Sequence, residues 1–297
     1  MKKLFESWKK FVNEQEIDKG GIYVLNNPAT PLATYVAVLK KYADDPTFDQ
    51  IAAAGQTDGQ PADEQVSVNR TATPAANLIA TQAEIGFSNS LADQMTNPPW
   101  KPVQKALGLD GTPIIMPSTD NPPPAILVWN GKYILDGHHR WSQVMMMNPT
   151  GEVAIDNVTG PALDNEEEAL KAMQFAIAAT ADKVVTKPFK GQNLMQASEQ
   201  EVAQYVIENI TDEVLQLLVQ AGKIPKPDKQ LAAKYVAGNL PVIKKSAGKF
   251  SREKSMPQAG ASGVSQDAVN QALGSGKVNF DQPRPSDVRR ADEQKLK

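Results

Sequence analysis

Asn130-Gly131 stands between two short apolar runs, Ile126 to Trp129 and Tyr133 to Leu135. A tight two-residue connection needs positive φ at both central positions, which Asn and Gly tolerate, so the stretch predicts a β-hairpin closed by a type I′ turn. Asp136, Gly137, His138, His139 and Arg140 follow at once and include both histidines of the chain. Trp141, Val144 and Met145 then recur at helical spacing, which predicts a helix over 138–147. A strand that enters a helix through a glycine leaves little freedom for the residues at the junction.

That junction is where chemistry is expected. The first turn of a helix presents unpaired backbone N–H groups and a partial positive charge, a combination that attracts phosphate and other anions. Gly137 permits close approach of backbone, and Arg140 can offer a guanidinium fork to phosphate oxygens. His138 or His139 could add a hydrogen bond or act as acid or base near neutral pH, and Asp136 could hold a cation or activate a hydroxyl. A plainer alternative is a polar helix cap with one ring packed against a neighbour. A metal held by both rings is disfavoured, because adjacent residues point about 100° apart on a helix. Met145, Met146, Met147 and Trp141 read as packing residues.

Elsewhere, 297 residues leave room for about two domains of roughly 100–200 residues each. Leu4, Phe5, Trp8, Phe11 and Val12 alternate with Lys2, Lys3, Lys9 and Lys10 as in a short amphipathic helix, within an N-terminal region set at 1–54. A second helix is expected after Pro31, with Leu32, Tyr35, Val36, Leu39 and Tyr42 on one stripe. A polar, breaker-rich stretch gives a linker at 55–69. The central region, 70–182, carries apolar runs expected as strands at 78–79, 113–116, 126–129, 133–135 and 153–158. Helices are expected at 88–95, 103–107 and 138–147, and a long one opens at Asp164 or Asn165 with three glutamates in its first turn. A capping box, Ser198 to Glu201, introduces an all-helical region expected at 183–243, with further helices near 212–221 and 228–237. The rest, 244–297, is expected to be largely disordered apart from a short helix near 264–273.

A net charge of −3 and 41 % hydrophobic residues lower the odds of a dedicated nucleic-acid binder. From Pro241 to Lys297, however, eleven Lys or Arg face six Asp or Glu, so this end is basic. It could touch nucleic acid or acidic protein, or simply be a solvated end. Cysteine is absent, which excludes disulfides, thiol nucleophiles and cysteine-ligated metals. No apolar run of about 18 residues and no secretory h-region are seen, so neither membrane insertion nor export is expected.

The string Tyr133 to Pro149, with its preceding hairpin and the segment Asn77 to Met95, resembles the ParB/sulfiredoxin domain family. In that family a strand leads into a Gly-x-x-Arg turn at a helix N-terminus, here Gly137-His138-His139-Arg140. Members labelled ParB-like nucleases carry the same Asp-Gly-His-His-Arg string. The resemblance covers residues 70 to 182. It implies an α+β fold with a small mixed sheet and flanking helices, followed here by a helical region and a disordered tail. It further implies nucleotide or phosphate binding by Gly137, His138, His139 and Arg140. Gln82 to Ile85 matches the segment beside the pocket in many members, which makes Glu84 a candidate second carboxylate, with a solvent-facing glutamate as the alternative. No basic helix-turn-helix follows the domain, so centromere-type DNA recognition is not expected.

Val12-Asn13-Glu14 resembles the processing site that ends the leader of internal head proteins in tailed phages, with Glu14 as the cleaved residue. An ordinary first helix is the alternative. The leading expectation is a phage-type ParB-like domain protein that binds a nucleotide, CTP or ATP, or a nucleic-acid phosphate at this turn, and that could use it for metal-assisted nuclease or nucleotide-hydrolase chemistry. In it Asp136, with Glu84, holds Mg²⁺ or Mn²⁺, His138 or His139 handles the proton, and Arg140 stabilises charge on phosphorus. The competing expectation is a non-catalytic virion or head-assembly protein whose residues 1–14 dock on phage head proteins. Host cytoplasm, or the virion itself, is the expected location.

Overall fold

The structure, a computed structural model, describes residues 30–43, 66–95, 101–109, 125–159, 165–181, 183–184, 186–257 and 264–275. In chain order the elements are α1 (Leu32–Ala43), β1 (Ser67–Pro74), β2 (Ile79–Ala80), α2 (Phe87–Met95), α3 (Lys101–Ala106), β3 (Ile126–Trp129) and β4 (Tyr133–Asp136). They continue with α4 (His138–Met147), β5 (Glu152–Thr159), α5 (Glu166–Ala181), α6 (Glu199–Asn209), α7 (Asp212–Gln220) and α8 (Lys229–Gly238). The last three are α9 (Leu240–Lys245), α10 (Arg252–Ser255) and α11 (Gln266–Gly274). The fold is α+β, a mixed five-stranded sheet with flanking helices.

Residues 68–159 and 187–256 form one compact unit, which carries the sheet in the order β1-β5-β3-β4-β2. Its centre is the expected hairpin: Asn130 and Gly131 take φ of 47° and 67°, and Lys132 N donates to Trp129 O at 2.9 Å. Asn157 Oδ1 accepts from Gly131 N at 2.6 Å, so the neighbouring strand also holds the turn. β4 pairs antiparallel with β3 and parallel with β2, whereas β5 runs parallel to β3. On α4, Trp141, Val144, Met145, Met146 and Met147 are all buried and pack with α2, α3 and the helices α8 and α9. Burying each such side chain stabilises the fold by roughly 1.5–3 kcal/mol, enough to fix α4 and therefore its first turn. Trp141 Nε1 meets its polar need by donating to Ala75 O at 2.9 Å.

A second unit contains α1, α5 and α11, with α5 packing against the other two. Asn165 Oδ1 accepts from Glu168 N at 3.0 Å and caps α5, whose first turn holds Glu166, Glu167 and Glu168. Lys171 is buried there. Its Nζ donates to Thr30 O at 2.8 Å and lies 3.0 Å from Glu167 Oε1, and burial also raises the proton affinity of the neighbouring Tyr35 hydroxyl. Among the described residues no helix is long and apolar enough to cross a membrane.

Four sequence expectations change. Residues 67–69, assigned to the linker, begin β1. The central region does not run unbroken to 182, because 160–186 group with the second unit while 187–256 return to the sheet. The expected tail does not start at 244: Ser246 to Met256 is built into the sheet unit, with Phe250 and Met256 buried. Finally, the strand expected at 78–79 is the pair Ile79–Ala80. The leader helix at 1–14 and the strand at 113–116 lie outside the described residues.

Candidate functional site

The αL conformation of Gly137, φ 97° and ψ 23°, turns β4 into α4 within one residue. A Cβ there would meet both a strained backbone and the Arg140 side chain, 2.9 Å from Nη2 and 3.0 Å from Nε. The Arg140 guanidinium is thus folded over the glycine. Its Nη2 donates to Asp136 Oδ2 at 3.0 Å, and the pair is partly exposed. Burial raises the proton affinity of the Asp136 carboxyl, and the Arg140 charge and the Gly137 N–H oppose that shift. Burial likewise lowers the proton affinity of Arg140, against the charges of Asp136 and Asp156.

Asp156 on β5 comes from outside the turn. It is almost fully buried and receives both Nε and Nη2 of Arg70, at 2.8 and 2.9 Å, in a bidentate pair between β5 and β1. Sequence reasoning missed both residues, because only the strand order brings them beside Arg140.

Both histidines make hydrogen bonds through Nε2. His138 Nε2 lies 3.3 Å from both Thr81 N and Gln82 N, and His139 Nε2 lies 3.2 Å from Gly86 N. Backbone N–H groups only donate, so each Nε2 carries its lone pair and each neutral ring holds its proton on Nδ1. Burial pushes His138 down to about 3 and His139 to about 4, helped in both cases by the nearby Arg252 charge. Both rings are therefore neutral at pH 7 and act as acceptors that clamp the 81–86 loop to the start of α4. Gly86 fits the same contact, since a Cβ there would stand 3.2 Å from His139 Nε2.

Glu84 lies in that loop. It is half-buried, and its Oε2 accepts from Arg252 N at 2.7 Å. Among the described residues no group of three or more His, Asp or Glu side chains is arranged around a common metal position. Asp136 and Glu84 are instead occupied by an arginine side chain and an arginine N–H, respectively.

Arg252 is a third residue that the sequence reading missed, since it falls in the expected tail. Ala80 N donates to Ser246 O, Phe250 N to Thr81 O and Ala83 N to Phe250 O, so the 246–250 segment pairs along the chain just after β2. The available signal was Phe250 and Met256, two large apolar residues in an otherwise polar stretch. No family model, curated protein or solved structure matches this chain.

Proposed function

We propose that the turn from Asp136 to Arg140 binds the phosphate of a nucleotide or nucleic acid, in the manner of the ParB/sulfiredoxin domains its motif resembles. One observation carries the reading. Arg140 is held at the N-terminal end of a ten-residue helix by a carboxylate, with its guanidinium folded into the room that the missing Cβ of Gly137 leaves. A phosphate oxygen offers Arg140 the same acceptor geometry as Asp136 and gains the helix N–H groups as well. Binding would exchange one anion for another on the same fork.

Both histidine Nε2 atoms are occupied by backbone N–H groups, and this favours a binding module over a hydrolase. Under the catalytic reading, with Mg²⁺ or Mn²⁺ on Asp136 and Glu84, the Asp136–Arg140 pair would have to open first. The phage setting rests on the resemblance of the motif and leader. Under it, mass spectrometry of purified particles would find this chain, with a first peptide starting at Gln15 after cleavage at Glu14.

The test is a thermal-shift series with CTP, ATP, ADP, GTP and inorganic phosphate, with and without Mg²⁺ or Mn²⁺, on the wild type and on Arg140→Gln. A ligand at 100 times its Kd adds about 2.7 kcal/mol of stability. Stabilisation of the wild type and not of the variant supports the reading. Equal shifts in both, or none in the wild type, overturn it.

A further inference from the structure

Residues 191–197 run beside the 83–87 stretch within the sheet unit. Phe87 N donates to Gln192 O at 2.9 Å and Leu194 N to Ile85 O at 2.8 Å, a short antiparallel pairing. Asn193, itself buried, completes it: its Oδ1 accepts from Ile85 N at 3.1 Å and Met195 N at 3.0 Å, and its Nδ2 donates to Ala83 O at 3.3 Å. The chain then enters α6 through the Ser198–Glu201 capping box. These pieces border a half-open cavity of about 350 Å³, whose lining includes Glu84, Phe189, Gln192, Asn193, Gln196 and Glu201. Small-molecule sites typically run from roughly 300 to 1,000 Å³, so the space suits a compact ligand, and main-chain bonds hold its walls in advance.

The chemistry of the lining is one-sided. Two carboxylates, Glu84 and Glu201, border the cavity, and among the described residues no lysine or arginine does. Lys190 is exposed and outside the lining, and Lys244, whose charge reaches Glu201, has its Nζ on Ala197 O at 2.6 Å. The fold uses each carboxylate only as an acceptor. Glu84 Oε2 takes Arg252 N at 2.7 Å. Glu201 Oε2 takes Ser198 N and Oγ at 2.7 and 2.8 Å, and its Oε1 takes Gln192 Nε2 at 3.2 Å. All four donors are neutral, so glutamine could fill either place, as it can in a capping box. Neither carboxylate forms a salt bridge among the described residues, so its negative charge is surplus to the fold. Gln196 adds an exposed amide that bonds to nothing among the described residues, and Phe189 adds an aromatic ring, whose face attracts cations.

We infer that this cavity is a binding site for a small guanidinium compound. It shares only the loop around Glu84 with the histidine clamp, and it does not depend on the phosphate-binding reading of the Gly137–Arg140 turn. An alkylguanidinium carries one positive charge and a planar set of N–H donors, so it can pair with a carboxylate and reach an amide oxygen at once. The same plane stacks on an aromatic ring. An anion would meet two like charges here, and a bare metal ion would leave most of the space unfilled.

The experiment is titration calorimetry of the full chain with agmatine, with putrescine, which replaces the guanidinium by an ammonium and keeps the charge, and with a blocked arginine peptide. Glu84→Gln and Glu201→Gln keep the acceptors that the fold uses, and melting of each variant without ligand checks that they do. Agmatine should bind the wild type at one site and more tightly than putrescine. Glu84→Gln should weaken agmatine by about tenfold, the scale of a hydrogen bond to a half-buried charge. Glu201→Gln should weaken it by about threefold, as for an exposed pair. Gln196→Ala should weaken it too, and that test is independent of either carboxylate's part in the fold. Glu208→Gln, which removes a charge from α6 outside the cavity, should leave the affinity unchanged. The inference fails if agmatine does not bind, if putrescine binds as tightly, or if the three cavity variants bind like the wild type. Loss in Glu208→Gln equal to that in Glu84→Gln also overturns it, as the mark of general charge attraction. Tighter binding of the peptide than of agmatine overturns the small-molecule assignment in favour of a protein-borne arginine.

Discussion

Arg140 lies folded over Gly137, its Nη2 only 2.9 Å from the point a Cβ on that glycine would occupy. The glycine is needed twice, for its φ of 97° and for the room it leaves. Gly137→Ala should destabilise the sheet unit by about 1–3 kcal/mol from backbone strain and should push the guanidinium off the helix end. Urea denaturation measures the first effect and phosphate titration the second. An alanine variant as stable as wild type would mean that the turn relaxes freely, contrary to the packing of α4.

His138 satisfies two buried N–H groups with one lone pair. His138→Ala should cost about 2–4 kcal/mol, the sum of orphaned donors and a partly filled cavity. His138→Gln, whose side-chain oxygen can reach the same donors, should recover part of that loss. Equal losses in the two variants would show that ring packing, and not the acceptor, is what matters.

Protonation should act in one direction. A histidine held down to about 3 or 4 in the folded chain has an ordinary value near 6.5 when unfolded. Between pH 6.5 and 4 the unfolded chain takes up protons that the folded chain refuses. Stability should therefore be complete above pH 6.5 and fall on acidification by about 1.4 kcal/mol per pH unit for each ring. Asp136 works the other way, because its raised proton affinity favours the folded state in the acid range and offsets part of the slope. Denaturant titrations at pH 7, 6 and 5 should show the decline, and His138→Gln should roughly halve it. A flat profile would exclude neutral, clamped rings.

Asp156 and Arg70 join β5 to β1 by a bidentate pair whose carboxylate is nearly inaccessible to solvent. Removing one partner leaves the other charge in a poorly solvated place. Asp156→Ala should cost about 2–4 kcal/mol, moderated because Arg70 is partly exposed. The double variant with Arg70→Met should recover much of it. Strict additivity of the two single losses would show that the pair carries no coupling.

What the sequence made legible is what short spacing controls. The Asn130-Gly131 hairpin, the Gly137 turn, the Ser198–Glu201 box and the glutamate-rich start of α5 depend on neighbours a few residues apart, and each takes its expected form. β1 went unseen because every residue of it is half-buried or exposed, which removes the apolar alternation of a one-sided strand. Arg70, Thr81 and Asp156 come beside the turn through strand order and Arg252 reaches Glu84 across 168 residues, and no local pattern encodes either. The histidines stand out in the sequence, but their partners are backbone N–H groups that carry no residue identity, so their acceptor role was invisible there.

The Ser246–Met256 segment, a strap beside residues 80–84, also sets a timetable for folding. Arg252 and Glu84 are 168 residues apart in the chain, and the Met256 contact with Thr81 spans 175. Loop closure over such distances is costly and slow, so local elements such as the hairpin and α4 can form long before the strap arrives. During synthesis the turn would emerge from the ribosome well ahead of Arg252. A nascent chain would thus possess Arg140 and both histidines before residues 246–256 pack beside residues 80–84, and that long-range pairing would come only as the closing step of folding.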